Sequence, residues 1–416
     1  MRLQIKLVFV YCFYCFFIFS NSFVLSSSDL KIDGYVKSTF SVKSVENDKT
    51  VKNLGTKLRV NLFDAIGDKV SFKIAYELIS EYNYNEKNEQ KSFFFSTTDI
   101  SYRADDVNKT FYHDNHGKSY YSADQNIDRL FFTISFDKAD IFIGRQPVSF
   151  GSARFINPTD VLTSFSFDTI DKEEVEGVDA FRVRLPFGSM GEVDAGIIFG
   201  NDFQRKKNAA YINTKFTLKN IDYAFTAMVF TDNCLLGADF QTPFFDAGFW
   251  LEYAYVFANA LDKSINKENY YSISTGFDYS FSTNFYGFIE YHLNGAGTKS
   301  KEKYLTNSDK TAYKQGKVYL LSRHYLIPGF IWQITPLSTC QTNFVINLLD
   351  YSSFFSPKLS YGLSDNFYLD AGAFVSFGKK VKMADDNLSK AFVFPDIRSE
   401  FGLYPDLYYI SLRYYF

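Results

Sequence analysis

The chain has 416 residues, a formal net charge of −3 and an aromatic content of 19%. The slightly acidic balance excludes the strongly basic surface typical of nucleic-acid-binding proteins, so we expect no nucleic-acid partner. Four cysteines in a chain of this length exclude a fold held together by disulfides. Because no linker or break in composition interrupts the sequence, we predict one domain after the N-terminal segment.

Residues 1–26 have the pattern of a cleaved secretory signal peptide. Arg2 and Lys6 precede an apolar run over 7–19, and small residues follow it. The run is shorter than the ~20 residues that a membrane-spanning helix needs. We expect cleavage between Ser22 and Ser28, which leaves a mature domain of about 27–416 with a net charge near −5.

The remaining composition favours strands that face two different environments. The chain contains 48 Phe and 31 Tyr, yet its mean hydropathy is −0.16, and no second apolar run is long enough to span a bilayer as a helix. Strands that alternate apolar and polar residues conceal their hydrophobicity in this way. A soluble β-domain can be equally aromatic, but it rarely places aromatic residues on the outward face of strand after strand. We therefore predict an all-β, transmembrane, antiparallel up-and-down β-barrel.

Alternating segments continue along the whole chain. The first predicted strand covers 30–42, the second begins near residue 54, and the third covers 70–78. A long polar loop is expected over 81–128, after which short turns alternate with longer loops, as in outer-membrane barrels. Counting hairpins predicts about 18 strands, with 16 still possible, if 395–416 forms one long closing strand.

The last residues of the chain alternate most clearly. One face of this strand carries five apolar residues, Tyr408, Ile410, Leu412, Tyr414 and Phe416. The strand resembles the closing strand of bacterial outer-membrane β-barrels, whose terminal Phe and alternating hydrophobics are read by the barrel-assembly machinery. The resemblance implies an integral protein of the Gram-negative outer membrane, with lipid against this face and these five residues as the assembly signal.

If the apolar faces meet lipid, the opposite faces line the lumen. We predict that the following residues face it: Lys57, Arg59, Lys73, Glu77, Lys215, Glu252, Asp278, Glu290, His292, Asp370 and Arg413. A barrel of this size holds water unless loops plug it, so such charges can bias the passage of ions. The alternative is solvated charge without selectivity.

The most informative internal stretch is 144–185. It contains Gly144-Arg-Gln146, Phe150-Gly151, Asn157-Pro-Thr-Asp160 and Glu176-Gly-Val-Asp-Ala-Phe-Arg182. This order resembles uncharacterised porin-like barrels of Gram-negative bacteria, in which a strand ending Gly-Arg-Gln leads into a loop bearing Asn-Pro-Thr-Asp. Phe150 stands where that family is expected to have Trp. The resemblance implies only a porin-like barrel.

The loop over 148–177 either folds into the lumen or extends outward as a solvated loop. Its apolar residues favour folding inward, because a packed loop buries such side chains. We predict a constriction here, with the acids opposed to Arg182 and Arg184. The candidate residues are Arg145, Arg154, Asp160, Asp168, Asp171, Glu173, Glu174, Glu176, Arg182 and Arg184.

These observations favour a passive channel for small hydrophilic solutes or ions, with homo-oligomerisation possible. The alternatives are a barrel that sheathes or supports an outer-membrane complex, such as an electron-transfer partner, and less favoured, an enzyme or an adhesin. No nucleophile-elbow or phosphate-binding motif is present, so we predict no catalytic residues and no cofactor. His113 and His116 lie in a polar stretch without further ligands, and we expect no metal site there.

Overall fold

The structure is a computed structural model that describes residues 30–45, 49–84, 101–105, 110–116, 119–262, 268–380 and 397–416. The signal peptide predicted for residues 1–26 lies outside these ranges. Strands dominate the described part of the chain. They are β1 Lys31–Val45, β2 Lys49–Ile66, β3 Val70–Asn83, β4 Thr110–His116, β5 Ser119–Phe136, β6 Ala139–Pro147, β7 Gly177–Phe187, β8 Gly191–Phe199, β9 Ala209–Leu218, β10 Ile221–Phe230, β11 Asn233–Phe244, β12 Ala247–Phe257, β13 Tyr270–Ser282, β14 Phe285–Asn294, β15 His324–Thr335, β16 Ser338–Asn347, β17 Ser353–Ser364, β18 Phe367–Phe377 and β19 Leu407–Tyr415.

The strands form one closed antiparallel barrel. Apart from β4, consecutive strands pair with each other, and β19 pairs with β1 from Tyr35↔Tyr415 to Lys43↔Leu407. The strand β3 pairs directly with β5. The strand β4 pairs with residues 119–124 of β5, on the side away from β3, and is not counted among the strands of the ring. The ring therefore contains 18 strands, which confirms the predicted fold class and strand number.

The closing strand shows how the alternation separates the two faces. Tyr408, Ile410 and Leu412 are 53%, 47% and 40% exposed, whereas Tyr409 and Ser411 are 9% and 2% exposed. Successive side chains of a strand point to opposite sides, so the first three lie on the outer wall and the others face the interior. The outer wall carries large apolar side chains on strand after strand, as a lipid-facing surface requires.

Short and long connections lie at opposite rims. Turns of two or three residues join β2 to β3, β5 to β6 and the six later hairpins at the same rim. The opposite, outer rim carries the long connections 148–176, 295–323 and 378–406. This arrangement agrees with the predicted alternation of short turns and longer loops.

Two predicted boundaries are wrong. The loop predicted over 81–128 is much shorter, because β3 runs to Asn83, β5 begins at Ser119, and β4 lies between them. The closing strand does not begin at residue 395 but at Leu407, and the 3-10 turn Phe401–Leu403 precedes it. Phe401 is buried, so packing of this segment into the barrel overrides its extended pattern.

In the described residues, helical structure consists of short pieces at the outer rim. They are the α-helices Tyr304–Asn307 and Thr311–Gln315 and the 3-10 turns Asn201–Phe203, Arg205–Lys207, Lys301–Lys303 and Phe401–Leu403. Within the described ranges, none of these helices has the length and apolar character needed to cross a bilayer.

Candidate functional site

The connection between β6 and β7, residues 148–176, folds into the barrel, and we call it the inner loop. It leaves β6 and crosses to β12 and β14, where Ser152 N donates to Glu252 and Phe155 N donates to Glu290. It then passes β17, where Phe167 meets Phe354, and returns along β1, where Asp171 meets Lys37. The inner loop therefore follows the inside of the wall around more than half of the ring.

The two sequence motifs shape the start of this loop. Arg145 donates through Nε to Asp179 at 2.7 Å, which ties the end of β6 to β7. Asn157 begins the predicted turn, since its carbonyl accepts from Asp160 N at 3.2 Å. Asp160 caps the next segment by accepting from Thr163 N at 3.1 Å, and burial raises its pKa to about 6.

Two glycines allow the close contacts that this path requires. Gly151 has a φ of 95°, and a Cβ there would lie 2.6 Å from the Asn157 side chain. Gly237 on β11 faces Thr159, whose Cγ2 would lie 2.5 Å from an added Cβ. Glycine has no Cβ and adopts a positive φ without strain. These two positions therefore let the loop pack closely against itself and against the wall.

Apolar side chains hold the inner loop against two sides of the lumen. Val148, Phe150, Val161 and Leu162 are buried in a cluster with residues of β7 to β12 and of the 295–323 connection. Phe167 packs at 4.9 Å from Phe354, in a second cluster on the β15 to β19 side. The side chains that made free solvation unfavourable are thus sheltered.

The acidic second half of the loop meets cations on β1, β2, β5 and β19. Asp171 lies 2.9 Å from Lys37, and Glu173 lies 2.8 Å from Arg413. Glu174 lies 3.5 Å from Arg59. Burial opposes the ionisation of Asp171, but Lys37 and Lys57 outweigh it and hold its pKa below the ordinary value.

The predicted opposition between these acids and Arg182 and Arg184 is wrong. Arg182 pairs with Asp194 on β8, and Arg184 lies 3.4 Å from Glu192 on the same strand. The acids end at Glu176, where β7 begins, whereas Arg182 is five residues further along β7, about 17 Å away along the strand. Of the other candidates, Arg154 pairs with Asp278 at 2.7 Å, and Asp168 accepts from Ser166.

The predicted lumen residues lie on the inward faces of their strands. Arg59, Glu77, Glu252, Glu290, His292 and Asp370 are buried, Lys57, Lys73, Asp278 and Arg413 are half-buried, and Lys215 is exposed. Burial here results from contact with the inner loop and neighbouring wall strands rather than from lipid. Whether these residues influence permeation stays a prediction.

Sequence alternation missed a buried ionic centre on β5. Asp128 accepts from Arg59 at 2.7 Å and lies 2.6 Å from Arg129. Both Asp128 and Arg129 are buried although they are adjacent, because the pairing of β3 with β5 shifts register here. A bulge places two successive residues against one partner, so strict period-two reasoning fails at this point.

A buried Ser–His pair also lies against the inner loop. Ser274 Oγ donates to the Ile156 carbonyl at 2.7 Å and lies 2.9 Å from His292 Nδ1. Because the serine proton is committed to Ile156, we assign Nδ1 as the donor to serine. A histidine that donates to serine cannot act as its base, so the pair holds the loop rather than forming a nucleophile.

His113 and His116 lie on β4, not in an irregular loop, and the ring of His113 packs 4.5 Å from that of Tyr120. Among the residues that the structure describes, no group of three or more His, Cys, Asp or Glu side chains is placed to hold a metal ion. Cys234 and Cys340 are free.

A cavity of about 320 Å³ remains between the inner loop, the wall strands β12 to β14 and residues 316–320. Its lining combines the rings of Phe155 and Tyr319 with the polar side chains of Lys172, His292 and Lys317. A space of this size with polar and apolar walls suits water and small solutes.

Comparisons with known proteins identify the fold. The chain matches no protein-family model and no curated protein sequence. Among solved structures, it resembles Acinetobacter baumannii OccAB2, with a TM-score of 0.54, 8% identity, and coverage of 93% of this chain and 98% of that one. Pseudomonas aeruginosa OccK5 gives a TM-score of 0.54, 10% identity, and the same two coverages.

Pseudomonas aeruginosa OpdK, an outer membrane protein solved with vanillate, gives a TM-score of 0.54 at 9% identity over 93% of this chain and 98% of that chain. The fold is that of these solved structures. At these identities the likeness concerns the course of the backbone, and it extends over nearly the whole length of each chain.

Proposed function

We propose that this protein is an integral outer-membrane channel through which small hydrophilic solutes or ions diffuse passively. The observation that carries the proposal is the inner loop, which lies inside a closed 18-strand barrel and presents charged side chains within it. A loop in this position narrows the lumen, and charges at a narrow water path act on passing ions. The likeness to the outer membrane protein OpdK, which was solved with the small solute vanillate, supports the same function.

Planar-bilayer recording on the purified full-length protein tests this proposal. We expect discrete conductance steps that are ohmic and remain open at low voltage. A folded barrel that inserts but carries no current would overturn it. That result would favour a barrel that sheathes or supports another protein.

We further propose that the constriction is formed by the inner loop together with the wall residues that it contacts. Seven of the predicted candidates lie in three places. Asp171, Glu173, Glu174 and Glu176 adjoin the cations of β1, β2, β19 and residue 103. Arg154 adjoins Asp278 on β13, and Arg182 and Arg184 line the wall below the loop. The part-exposed side chains of Glu174 and Glu176, at 33% and 61%, support a water path beside the second half of the loop.

Localisation and assembly belong to the same proposal. We infer that residues 1–26 direct secretion and are removed, and that 27–416 form the barrel. The apolar outer wall supports contact with membrane lipid. We propose that the closing strand is read by the barrel-assembly machinery and that the Gly144–Gln146 and Asn157–Asp160 motifs mark one porin type.

A further inference from the structure

The first arm of the inner loop, residues 152–159, is held by two buried glutamates. Glu252 on β12 accepts from the backbone N–H groups of Ser152, Ala153 and Thr159 at 3.0, 3.1 and 2.8 Å. Glu252 also accepts from Thr159 Oγ1 at 2.7 Å. Both carboxylate oxygens are used, and the residue is fully buried.

Glu290 on β14 holds the adjoining residues in the same way. It accepts from the backbone N–H groups of Arg154, Phe155 and Ile156 at 2.9, 3.1 and 3.0 Å. It is also fully buried and uses both oxygens. Together the two glutamates receive every backbone N–H from residue 152 to residue 156.

These carboxylates are not balanced by side-chain cations. In the described part of the chain neither glutamate forms an ion pair, and the nearby Arg154 pairs with Asp278 instead. A buried carboxylate is costly unless hydrogen bonds satisfy it. Backbone N–H groups bound to a carboxylate form charge-assisted bonds, roughly twice as strong as neutral ones. Wall and arm therefore satisfy each other, and either would be left unpaired if they separated.

We propose that Glu252 and Glu290 are positioning residues that hold the first arm against the β12–β14 wall and thereby keep the channel open. This proposal rests on the channel function proposed above. Side chains add further contacts with the wall, since Ser152 Oγ donates to Asp239 on β11 and Arg154 pairs with Asp278 on β13. The two glutamates hold the backbone of the arm, so an arm whose backbone is released would move toward the lumen. Ser274, which donates to Ile156 O, supplies one further anchor on the same wall.

Replacement of both glutamates by glutamine tests the proposal. Glutamine has the same shape, but its NH2 group must face a backbone N–H, because both oxygens of each glutamate are acceptors. We expect E252Q/E290Q channels to close transiently far more often than the wild type, with a lower mean current at the same applied voltage. The hydrogen-exchange protection of the amides of 152–156 should also fall.

Two further variants separate position from charge. Glu290→Asp keeps the charge, but its side chain is one methylene shorter. If Glu290 acts by holding the arm in position, this variant should close about as often as E290Q. If it acts only through its charge, the variant should close as rarely as the wild type. Glu192→Gln removes another inward carboxylate that pairs with Arg184 and does not touch the inner loop, so it should leave the closures unchanged. Heat-modifiability on gels checks that every variant forms a barrel.

The outcomes distinguish this proposal from the channel function itself. A wild type that inserts without conducting would refute the channel. If the wild type conducts and the E252Q/E290Q traces are unchanged, or steadily larger in current, the channel function is retained. The positioning role of Glu252 and Glu290 is then overturned. If the double variant does not assemble, the single variants E252Q, E290Q and Ser274→Ala decide by the same recordings.

Discussion

Glu400 is a fully buried carboxylate that joins three segments of the outer rim. It accepts from Leu321 N at 2.7 Å, from Tyr325 Oη at 2.6 Å and from Asn347 Nδ2 at 2.8 Å. Burial raises its pKa to about 7, and the neighbouring Asp350 adds to this effect, while the hydrogen bonds from Tyr325 and from the Leu321 backbone oppose it. The residue lies before β19, in a stretch that the sequence assigned to a strand.

Glu400 predicts a pH-dependent stability. Its folded-state pKa lies above the ordinary value of 4.5, so the folded protein favours the protonated form. The stabilising contribution is complete below about pH 4.5 and is lost as the pH rises through about 7. We expect the wild type to lose on the order of 3 kcal/mol of stability from this group between these limits. Glu400→Gln should show a smaller loss.

The temperature at which the heat-modifiable band disappears, compared at pH 5 and pH 8, measures this difference. An equal loss in both proteins would show that another group is responsible. Lys206, which is exposed and lies 3.0 Å from Asp262, offers a matched control. Lys206→Gln should keep the wild-type difference between the two pH values.

Arg59 is the most buried cation of the wall. It is 1% exposed and lies 2.6 Å from Glu77 and 2.7 Å from Asp128. Arg59→Ala leaves both acids buried without this partner, and we expect a loss of about 3–5 kcal/mol. Arg184→Ala removes a part-exposed pair with Glu192 and should cost about 0–1 kcal/mol. Urea unfolding in detergent measures both, and equal losses would contradict the buried-network interpretation.

At the scale of elements, the second half of the inner loop places acids above buried cations. Glu174 is part-exposed and Glu176 is exposed, whereas Arg59, Arg103 and Arg129, which they contact, are almost completely buried. Water in the lumen therefore meets the acids first. We therefore expect these acids to influence ion selectivity more than Arg182 and Arg184, because each of the two arginines pairs with an acid of the neighbouring strand β8.

Removal of these acids should change ion preference. We expect Glu174→Gln/Glu176→Gln to shift the reversal potential in a salt gradient toward anions, because the cations behind lose their screening acids. Asp309→Asn changes a carboxylate that is 78% exposed on the outer rim and should leave the reversal potential unchanged. A shift of the same size in both variants would argue for a general surface-charge effect.

The closing strand is joined to β1 through its last residue. Phe416 N donates to Gly34 O, and Gly34 N donates to Phe416 O, both at 3.0 Å. The Phe416 ring covers Gly34, where an added Cβ would lie 2.7 Å from Cζ. The terminal residue therefore completes the seam by its backbone as well as its ring.

Deletion of Phe416 should reduce the amount of assembled barrel, because it removes both seam hydrogen bonds and the terminal aromatic side chain. Phe245→Ala is a matched control, since that ring is 90% exposed in a short turn. Heat-modifiable, protease-resistant protein in the outer membrane gives the readout. Normal levels after deletion of Phe416 would contradict an assembly role for this residue.

At the scale of the whole molecule, the lumen is divided between apolar and charged regions. One apolar cluster lies against β7 to β12, and another lies against β15 to β19. Charged pairs concentrate along β1, β2, β5 and β19, where Lys37, Lys57, Arg59 and Arg413 meet acids. Packed apolar side chains exclude water, so the wettest part of the lumen adjoins the charged wall.

The sequence by itself determined the barrel, its number of strands and the residues of the closing strand that face outward. These properties follow from local patterns, because period-two alternation and short turns depend on residues close together in the chain. It also placed Glu252, Glu290 and Arg59 on the inward side. Where local pattern and packing compete, as in 397–406 and at the bulge beside Asp128, the alternation misplaced residues.

Only the tertiary structure decided where the inner loop goes and which charges it meets. Glu252 and Glu290 lie 93 to 136 positions from the loop residues that they bind, and Glu173 lies 240 positions from Arg413. Such partners are set by which strands face each other across a closed ring. From the sequence alone, a loop with acids in one half and an arginine in the other could pair with several of the wall strands. Closure of the ring decides which of these strands the loop faces.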